Sequence, residues 1–275
     1  MMDVGVTQSW WNGRLVPAGE VRIAPDDAGF LAGDGLFETL RVDDGTAHDV
    51  AAHLDRLLAG LRRIGIVLPE SRDGLEHAIA SVAAQAPRPT ARLRLTVSRG
   101  SSPPQASRPT VLVTAAPYQP PSEEDYRRGV PVILLADLRV DSRGPLAGLK
   151  SLSWQANRLA LSRAEAAGAF EALLLNERGQ LAEGARSNIV LALPEGLFTP
   201  PESDGCLPGT VRRRLLEGGW IEERSLTPDD LHRAREIVLL NSLIGTLPAT
   251  RRDGETVAEW LRLKLKGEKL PGHHE

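Results

Sequence analysis

Residues 144–154 read GPLAGLKSLSW, and the lysine within them, Lys150, is the one lysine before position 264. The chain holds 33 basic residues, 29 of them arginine and four lysine; Lys264, Lys266 and Lys269 crowd the C-terminal end. Lysine is ordinarily among the commonest residues of soluble proteins. In a chain so rich in Arg, Ala, Gly and Pro, the survival of one internal lysine is informative. A guanidinium stays protonated, whereas a partly desolvated amine loses its proton and attacks a carbonyl. Lys150 is therefore a candidate for Schiff-base chemistry, and what surrounds it decides the fold.

Working outward, the 275 residues suit two domains, with 41% apolar and 25% charged residues as in ordinary globular chains. A net charge of −3 gives no basic footprint, which argues against nucleic acid as a partner. The single cysteine, Cys206, excludes an intramolecular disulfide and a thiol-based metal site and fits a reducing, cytoplasmic setting; no metal is expected. The N-terminal MMDVGVTQSWWNG lacks the pattern of a signal peptide, and no apolar run approaches membrane-spanning length.

Strands are expected at VRIA (21–24) and LFETLRV (36–42), with a DDGT turn after the second. Apolar residues at Val50, Leu54, Leu57, Leu58, Leu61 and Ile64 have helical spacing, and residues 74–85 read as a second helix. ARLRLTVS (91–98) alternates as a strand, with Leu93, Leu95 and Val97 on one face and Arg99 in the same parity; TVLVTAA (110–116) is another strand. The proline-rich PYQPPSEED places a linker near 117–122, giving a smaller N-terminal domain over 1–118 and a larger one over 119–275 that carries Lys150. In the second part, strands are expected at 130–136, 171–176, 187–193, 196–200 and 236–241. Helices are expected over 151–168, ended by Gly168, and from Gly209, and a short one is capped by Thr227 with Pro228 at its first position. The last lysines and the absence of apolar spacing after Leu265 suggest a solvated end. The fold class is α/β, or α+β, in two domains.

A lysine that works through pyridoxal phosphate needs a carboxylate for the pyridine nitrogen and an anion site for the phosphate. Glu183, just before a strand in EGARSNI, is a candidate for the first. Arg56, which follows His53 by one helical step in HLDRL, and the free N–H groups of Thr210 and Val211 in CLPGTVRR are candidates for the second. His53 itself reads as structural. Each of these has an ordinary alternative as a surface acid, a surface arginine or a plain helix start.

Taken in order, GDGLFETLRV (33–42), HLDRL (53–57), GLKSL (148–152), LAEGARSNI (181–189), CLPGTVRR (206–213) and EIVLLNSLIGTLPA (236–249) resemble the class IV, fold-type IV pyridoxal-phosphate enzymes. That family includes branched-chain aminotransferases, D-amino-acid aminotransferases and 4-amino-4-deoxychorismate lyases, and the resemblance spans roughly residues 10 to 260. It implies a two-domain fold like that of the D-amino-acid aminotransferases, a homodimer, and a small amino compound as substrate. It also implies Lys150 as the Schiff-base lysine, Glu183 at the pyridine nitrogen and Arg56 on the phosphate. The amides of Thr210 and Val211 and the Ser242 hydroxyl would complete the phosphate cup, and Ser187 and Asn188 count with the cofactor-binding residues. The family usually carries a threonine where Val211 stands, so only its amide is left to contribute.

The resemblance also sorts the members. Strand parity puts Phe37, Thr39 and Arg41 on one face and Glu38, Leu40 and Val42 on the other. The branched-chain enzymes usually have glycine at the place of Thr39; the lyases have threonine, whose hydroxyl is able to pass a proton. SRGSSPPQAS (98–107) lacks the R-x-H pair typical of the D-amino-acid enzymes. Asn241 and Ser242 follow the lyase pattern, while Arg186 departs from the small residue usual there. Aminodeoxychorismate has two carboxylates, for which Arg41, Arg99 and Arg186 are the candidate partners. The expectation is a lyase that splits 4-amino-4-deoxychorismate into 4-aminobenzoate and pyruvate, a folate-precursor step. Lys150 and Thr39 are its catalytic residues, and Phe37, Arg41, Arg99 and Asn241 hold the substrate. The alternative is a D-amino-acid or branched-chain aminotransferase of the same fold.

Overall fold

The computed structural model describes residues 8–101, 108–251 and 257–267. Two compact units emerge: Met1–Pro120 with Leu149–Trp154, and Pro121–Gly148 with Gln155–Glu275. Lys150, expected with the C-terminal part, belongs to the first unit.

The first unit contains β1 (Gln8–Trp11), β2 (Arg14–Pro17), α1 (Ala28–Ala32), β3 (Gly35–Asp43), β4 (Thr46–Ala47), α2 (Val50–Arg63), α3 (Arg72–Ala83), β5 (Thr90–Ser98) and β6 (Thr110–Pro117). The strands form a sheet in the order β2-β1-β6-β5-β3-β4, each pair antiparallel. One face carries Leu36, Leu40, Leu93, Leu95, Val97, Val111 and Val113, which bury against Leu54, Leu57 and Leu61 of α2 and Leu75, Ile79 and Val82 of α3. Helix α2 lies close on the sheet because Gly60 has no side chain: a Cβ there would come within 2.6 Å of Leu36. Residues 21–24, expected as a strand, have no regular structure.

Residues 151–154, expected to be helical, instead run beside β3. The Phe37 N–H donates to the Lys150 carbonyl and the Leu152 N–H to the Gly35 carbonyl, each at 2.9 Å. Strand β4 pairs only with Val42 and Asp43, so the rest of that β3 edge needs a partner for its backbone groups. The 149–154 segment supplies it at Gly35 and Phe37, with Leu149 against the core and Lys150 next in line.

The second unit contains α4 (Glu123–Arg128), β7 (Val132–Val140), α5 (Gln155–Ala166), β8 (Glu171–Asn176), β9 (Leu181–Gly184), β10 (Asn188–Leu193), β11 (Gly196–Thr199), α6 (Thr210–Glu217), β12 (Glu222–Glu223), α7 (Pro228–Arg233), β13 (Glu236–Asn241), β14 (Gly245–Arg251) and α8 (Val257–Lys266). A five-stranded sheet runs β12-β11-β10-β13-β14, and a three-stranded one β7-β8-β9. EALLLN and NIVLAL are buried at every position of β8 and β10, as continuous apolar runs suggest. Thr227 caps α7 through the Asp230 N–H with Pro228 at the first turn, as its sequence predicts. The solvated tail expected beyond α8 falls mostly on residues 268–275, outside the described residues.

Candidate active site

In the first unit, the β3 face opposite the core carries Phe37, Thr39 and Arg41, as their parity predicts. Across β5, Phe37 pairs with Thr96, Thr39 with Arg94 and Arg41 with Arg92. Phe37 is buried, and its ring gathers cations. The Lys150 Nζ lies 4.6 Å from the ring centroid and the Arg94 guanidinium carbon 3.7 Å from it. Trp154 meets the same ring edge-on at 6.1 Å. Lys150 is thus positioned at both ends, its carbonyl by β3 and its side chain by an aromatic surface.

On the core side of β3, Glu38 is buried between Leu36 and Leu40. A carboxylate in that register requires compensation, and α2 provides it. Arg56 donates from Nε to Glu38 Oε1 at 2.8 Å and from Nη2 to Oε2 at 2.6 Å; His53 Nδ1 is 2.7 Å from Oε2. Because a carboxylate only accepts, His53 carries its proton on Nδ1. Burial pushes the Glu38 carboxyl up, but the charge and hydrogen bonds of Arg56, with those of His53, outweigh it and leave the pKa at about 2. Glu38 stays ionised and fixes the orientation of Arg56. It went unassigned in the sequence, although a lone acid in the core parity of a strand was a signal.

Arg99 and Arg41, both expected to face the substrate, are each paired with an acid. Arg99 donates to both oxygens of Asp34, at 2.6 and 3.2 Å, and to the carbonyls of Ile64 and Gly65. The Arg41 Nε–H is shared between the two oxygens of Asp43, at 2.8 and 3.1 Å. Arg94, absent from the expected set, donates to the Thr96 hydroxyl at 3.1 Å.

In the second unit, Glu183 lies near the end of β9. Its Oε2 accepts from the Leu207 N–H at 2.9 Å and from the Asn188 amide at 3.4 Å, and the same amide donates to the Leu207 carbonyl at 2.8 Å. Asn188 therefore ties Glu183 to the loop that opens α6. That approach needs Gly209, where a Cβ would sit 1.9 Å from the Asn188 Oδ1. Helix α6 starts at Thr210 with no side chain capping it, and Thr210 and Val211 are both buried. First-turn amides have no partner within the helix, so an uncapped start suits an anion. The Val211 side chain packs with Val190, Leu215 and Val238, which leaves its backbone for any ligand.

Ser187 donates to Glu171 Oε2 at 2.7 Å. Arg186 donates to the Phe170 carbonyl at 2.7 Å and stacks over the Phe170 ring. Asn241 closes the β13–β14 turn, its Oδ1 accepting from the N–H groups of Leu243 and Ile244 and its amide donating to the Arg186 carbonyl. Ser242 is half-buried in that turn. Ser187, Arg186 and Asn241 thus hold the scaffold by these bonds.

A nucleophilic lysine on an aromatic surface, a carboxylate held by two donors and an uncapped buried helix start are the parts that a phosphorylated pyridine aldehyde needs, and the residues present fit it. Among the described residues no helix is long and apolar enough to cross a membrane. Comparison with known proteins agrees with the chemistry. Residues 35–251 match the model of the amino-transferase class IV family. The chain is 30% identical to the D-alanine aminotransferase of Bacillus licheniformis over 257 residues, 90% of this chain and 89% of that one. It is 28% identical to the 4-amino-4-deoxychorismate lyase of Pseudomonas aeruginosa, with a TM-score of 0.80 over 94% and 98% of the two chains. The branched-chain aminotransferase of Thermoproteus uzoniensis, at 23% identity and a TM-score of 0.84 over 95% and 94%, shares the fold. The chain belongs to the class IV aminotransferases, a family of pyridoxal-phosphate-dependent enzymes.

Proposed function

We propose that the chain is an aminodeoxychorismate lyase, releasing 4-aminobenzoate and pyruvate from 4-amino-4-deoxychorismate. The observation that carries this reading is Thr39. It is a half-buried hydroxyl residue on the sheet face that holds Phe37, directly across from Arg94. The likeness to the Pseudomonas aeruginosa lyase supports it.

When bound, pyridoxal phosphate supplies an electron sink for the carbon that bears the substrate amine. Lys150 takes the proton from that carbon. Glu183, aligned by Leu207 and Asn188, holds a proton at the pyridine nitrogen. Arg56, clamped by Glu38, is the first unit's candidate for binding the phosphate, and the Thr210 and Val211 amides are the second unit's candidates for the same anion. The Thr39 hydroxyl hands a proton to the departing pyruvate and is replenished by the proton that Lys150 has taken, so the proton lost from the substrate carbon leaves with pyruvate. A homodimer belongs to this proposal, supported by the exposed apolar side chains of Phe30 and Leu31 on α1.

The likeness to the Bacillus licheniformis D-alanine aminotransferase supports a transaminase as the second reading, in which Lys150 would give back the proton it has taken and no pyruvate would be released from the substrate. Enzymatically prepared aminodeoxychorismate, run beside D-alanine and L-leucine with 2-oxoglutarate, separates the two. The lyase reading expects 4-aminobenzoate to appear. Efficient amino-group exchange without aminobenzoate overturns it.

A further inference from the structure

The arginines of β3, β5 and the residue after β5 are not equivalent. Arg99 is saturated by Asp34 and two backbone carbonyls, and Arg41 is paired with Asp43. Arg94 is half-buried, yet among the described residues it meets the Thr96 hydroxyl and the Phe37 ring and no carboxylate. Burial, with the charge of neighbouring Arg92, lowers its pKa to about 10 from an ordinary 12.5. The surroundings thus penalise its charge without supplying an anion to relieve it, while at neutral pH the guanidinium still keeps its proton.

Its position is equally specific. Arg94 lies across from Thr39, and the ring it stacks on is the one that receives the Lys150 amine. Stacking on Phe37 and the bond to Thr96 fix the plane of the guanidinium and cut the entropy lost when it grips a ligand. A planar, immobilised cation without an acid suits two-pronged recognition of a carboxylate. We propose that Arg94 is the receptor for a carboxylate of the amino-bearing substrate, held ready by Phe37 and Thr96 on the surface that presents Lys150. The role expected for Arg99 thereby passes to Arg94, five residues earlier in the same stretch.

The proposal rests on Lys150 carrying the cofactor, but it is independent of whether the enzyme is a lyase or a transaminase. The test uses the pyridoxal-phosphate-loaded enzyme and acid–amide pairs: 4-aminobenzoate with 4-aminobenzamide, D-alanine with D-alaninamide, L-leucine with L-leucinamide. Binding is read from the cofactor absorption band. For whichever pair binds, the unmodified enzyme is expected to prefer the acid by about tenfold to a hundredfold, the range of a charge-assisted bond. Arg94→Gln should erase that preference, Arg94→Lys should restore part of it, and Arg92→Gln, at an exposed neighbour, should change it by less than about threefold.

A preference that survives Arg94→Gln overturns the proposal, as does an equal loss in Arg92→Gln, which would make the effect a general field. Cofactor affinity is titrated in parallel. If Arg94→Gln weakens it about tenfold while acid preference persists, the anion held is the phosphate and the proposal fails. If amino acids bind and 4-aminobenzoate does not, the lyase reading fails while the Arg94 test runs on the amino-acid pair.

Discussion

Each unit buries a glutamate beside an arginine, and the two pairs behave in opposite ways. Glu38 in the first unit is gripped by both ends of the Arg56 fork and by His53, and its pKa falls to about 2. Glu171 in the second unit is just as buried, but the Arg186 guanidinium comes no closer than 3.8 Å, and the near donors are neutral: the Ser187 hydroxyl at 2.7 Å and the Ala172 N–H at 3.0 Å. There burial wins and the carboxyl is pushed up. The lesson is geometric. Two aligned hydrogen bonds to a cation overcome desolvation, and the same charge displaced by about an ångström does not. Glu38 is therefore a fixed ion that sets an arginine in place, whereas Glu171 is an acid poised nearer to neutrality.

The largest expected break in this comparison is Glu38→Gln. It leaves Arg56 and His53 facing a neutral amide in a buried site, the costly case of a charge deprived of its partner. Destabilisation of about 3–5 kcal/mol is expected, read by denaturant unfolding. Because Arg56 loses its orientation, pyridoxal-phosphate affinity should fall with it. Equal stability of the variant and the parent would show that the pair is dispensable.

Much of this was legible beforehand. The helix at 50–63 follows from its apolar spacing, and Lys150 stood out by rarity. The hairpin of β1 and β2 was also open to reading, since Asn12-Gly13 takes the positive φ values that such a turn requires, yet it is absent from the expected strands. Two things were out of reach. One was that residues 149–154 return to the edge of β3, because edge pairing is a long-range choice that local pattern does not record. The other was Arg94: strand parity sorted Leu93, Leu95 and Val97 into the core, but whether an arginine on the opposite face finds an acid depends on neighbours from other strands. Arg99 was the arginine expected to face the substrate from that stretch, and the presence of Asp34 beside it is another long-range fact of the same kind.

Acid sharpens the same contrast. The Glu38 pKa lies below its ordinary 4.5, so its contribution is present above pH 4.5 and is lost as pH falls toward about 2. That shift corresponds to about 3 kcal/mol. Glu171 is raised, so its contribution has the opposite sign: it is complete below 4.5 and is lost as pH climbs through the folded-state value. Unfolding free energies measured from pH 7 to pH 2.5 should show a drop that is shallower in Glu38→Gln and steeper in Glu171→Gln than in the parent. Parallel curves for all three would erase the distinction.

The smallest effect falls on Ser187. Its hydroxyl donates to one oxygen of Glu171, as the Ala172 N–H does to the other, and Glu171 opens β8, whose every residue is buried. Ser187→Ala removes one hydrogen bond to a carboxylate and leaves the Arg186 guanidinium too distant to replace it, so about 1 kcal/mol should be lost at pH 7. The remaining carboxylate then pays more for its charge, and the Glu171 pKa should climb further, visible as a shift of its side-chain carbon resonance on titration. The cost should shrink in acid, where Glu171 is neutral and needs the donor less. If the loss instead matched that of Glu38→Gln, Ser187 would be the equal of an arginine fork, and the contrast between the two carboxylates would lie in something other than the distance of the cation.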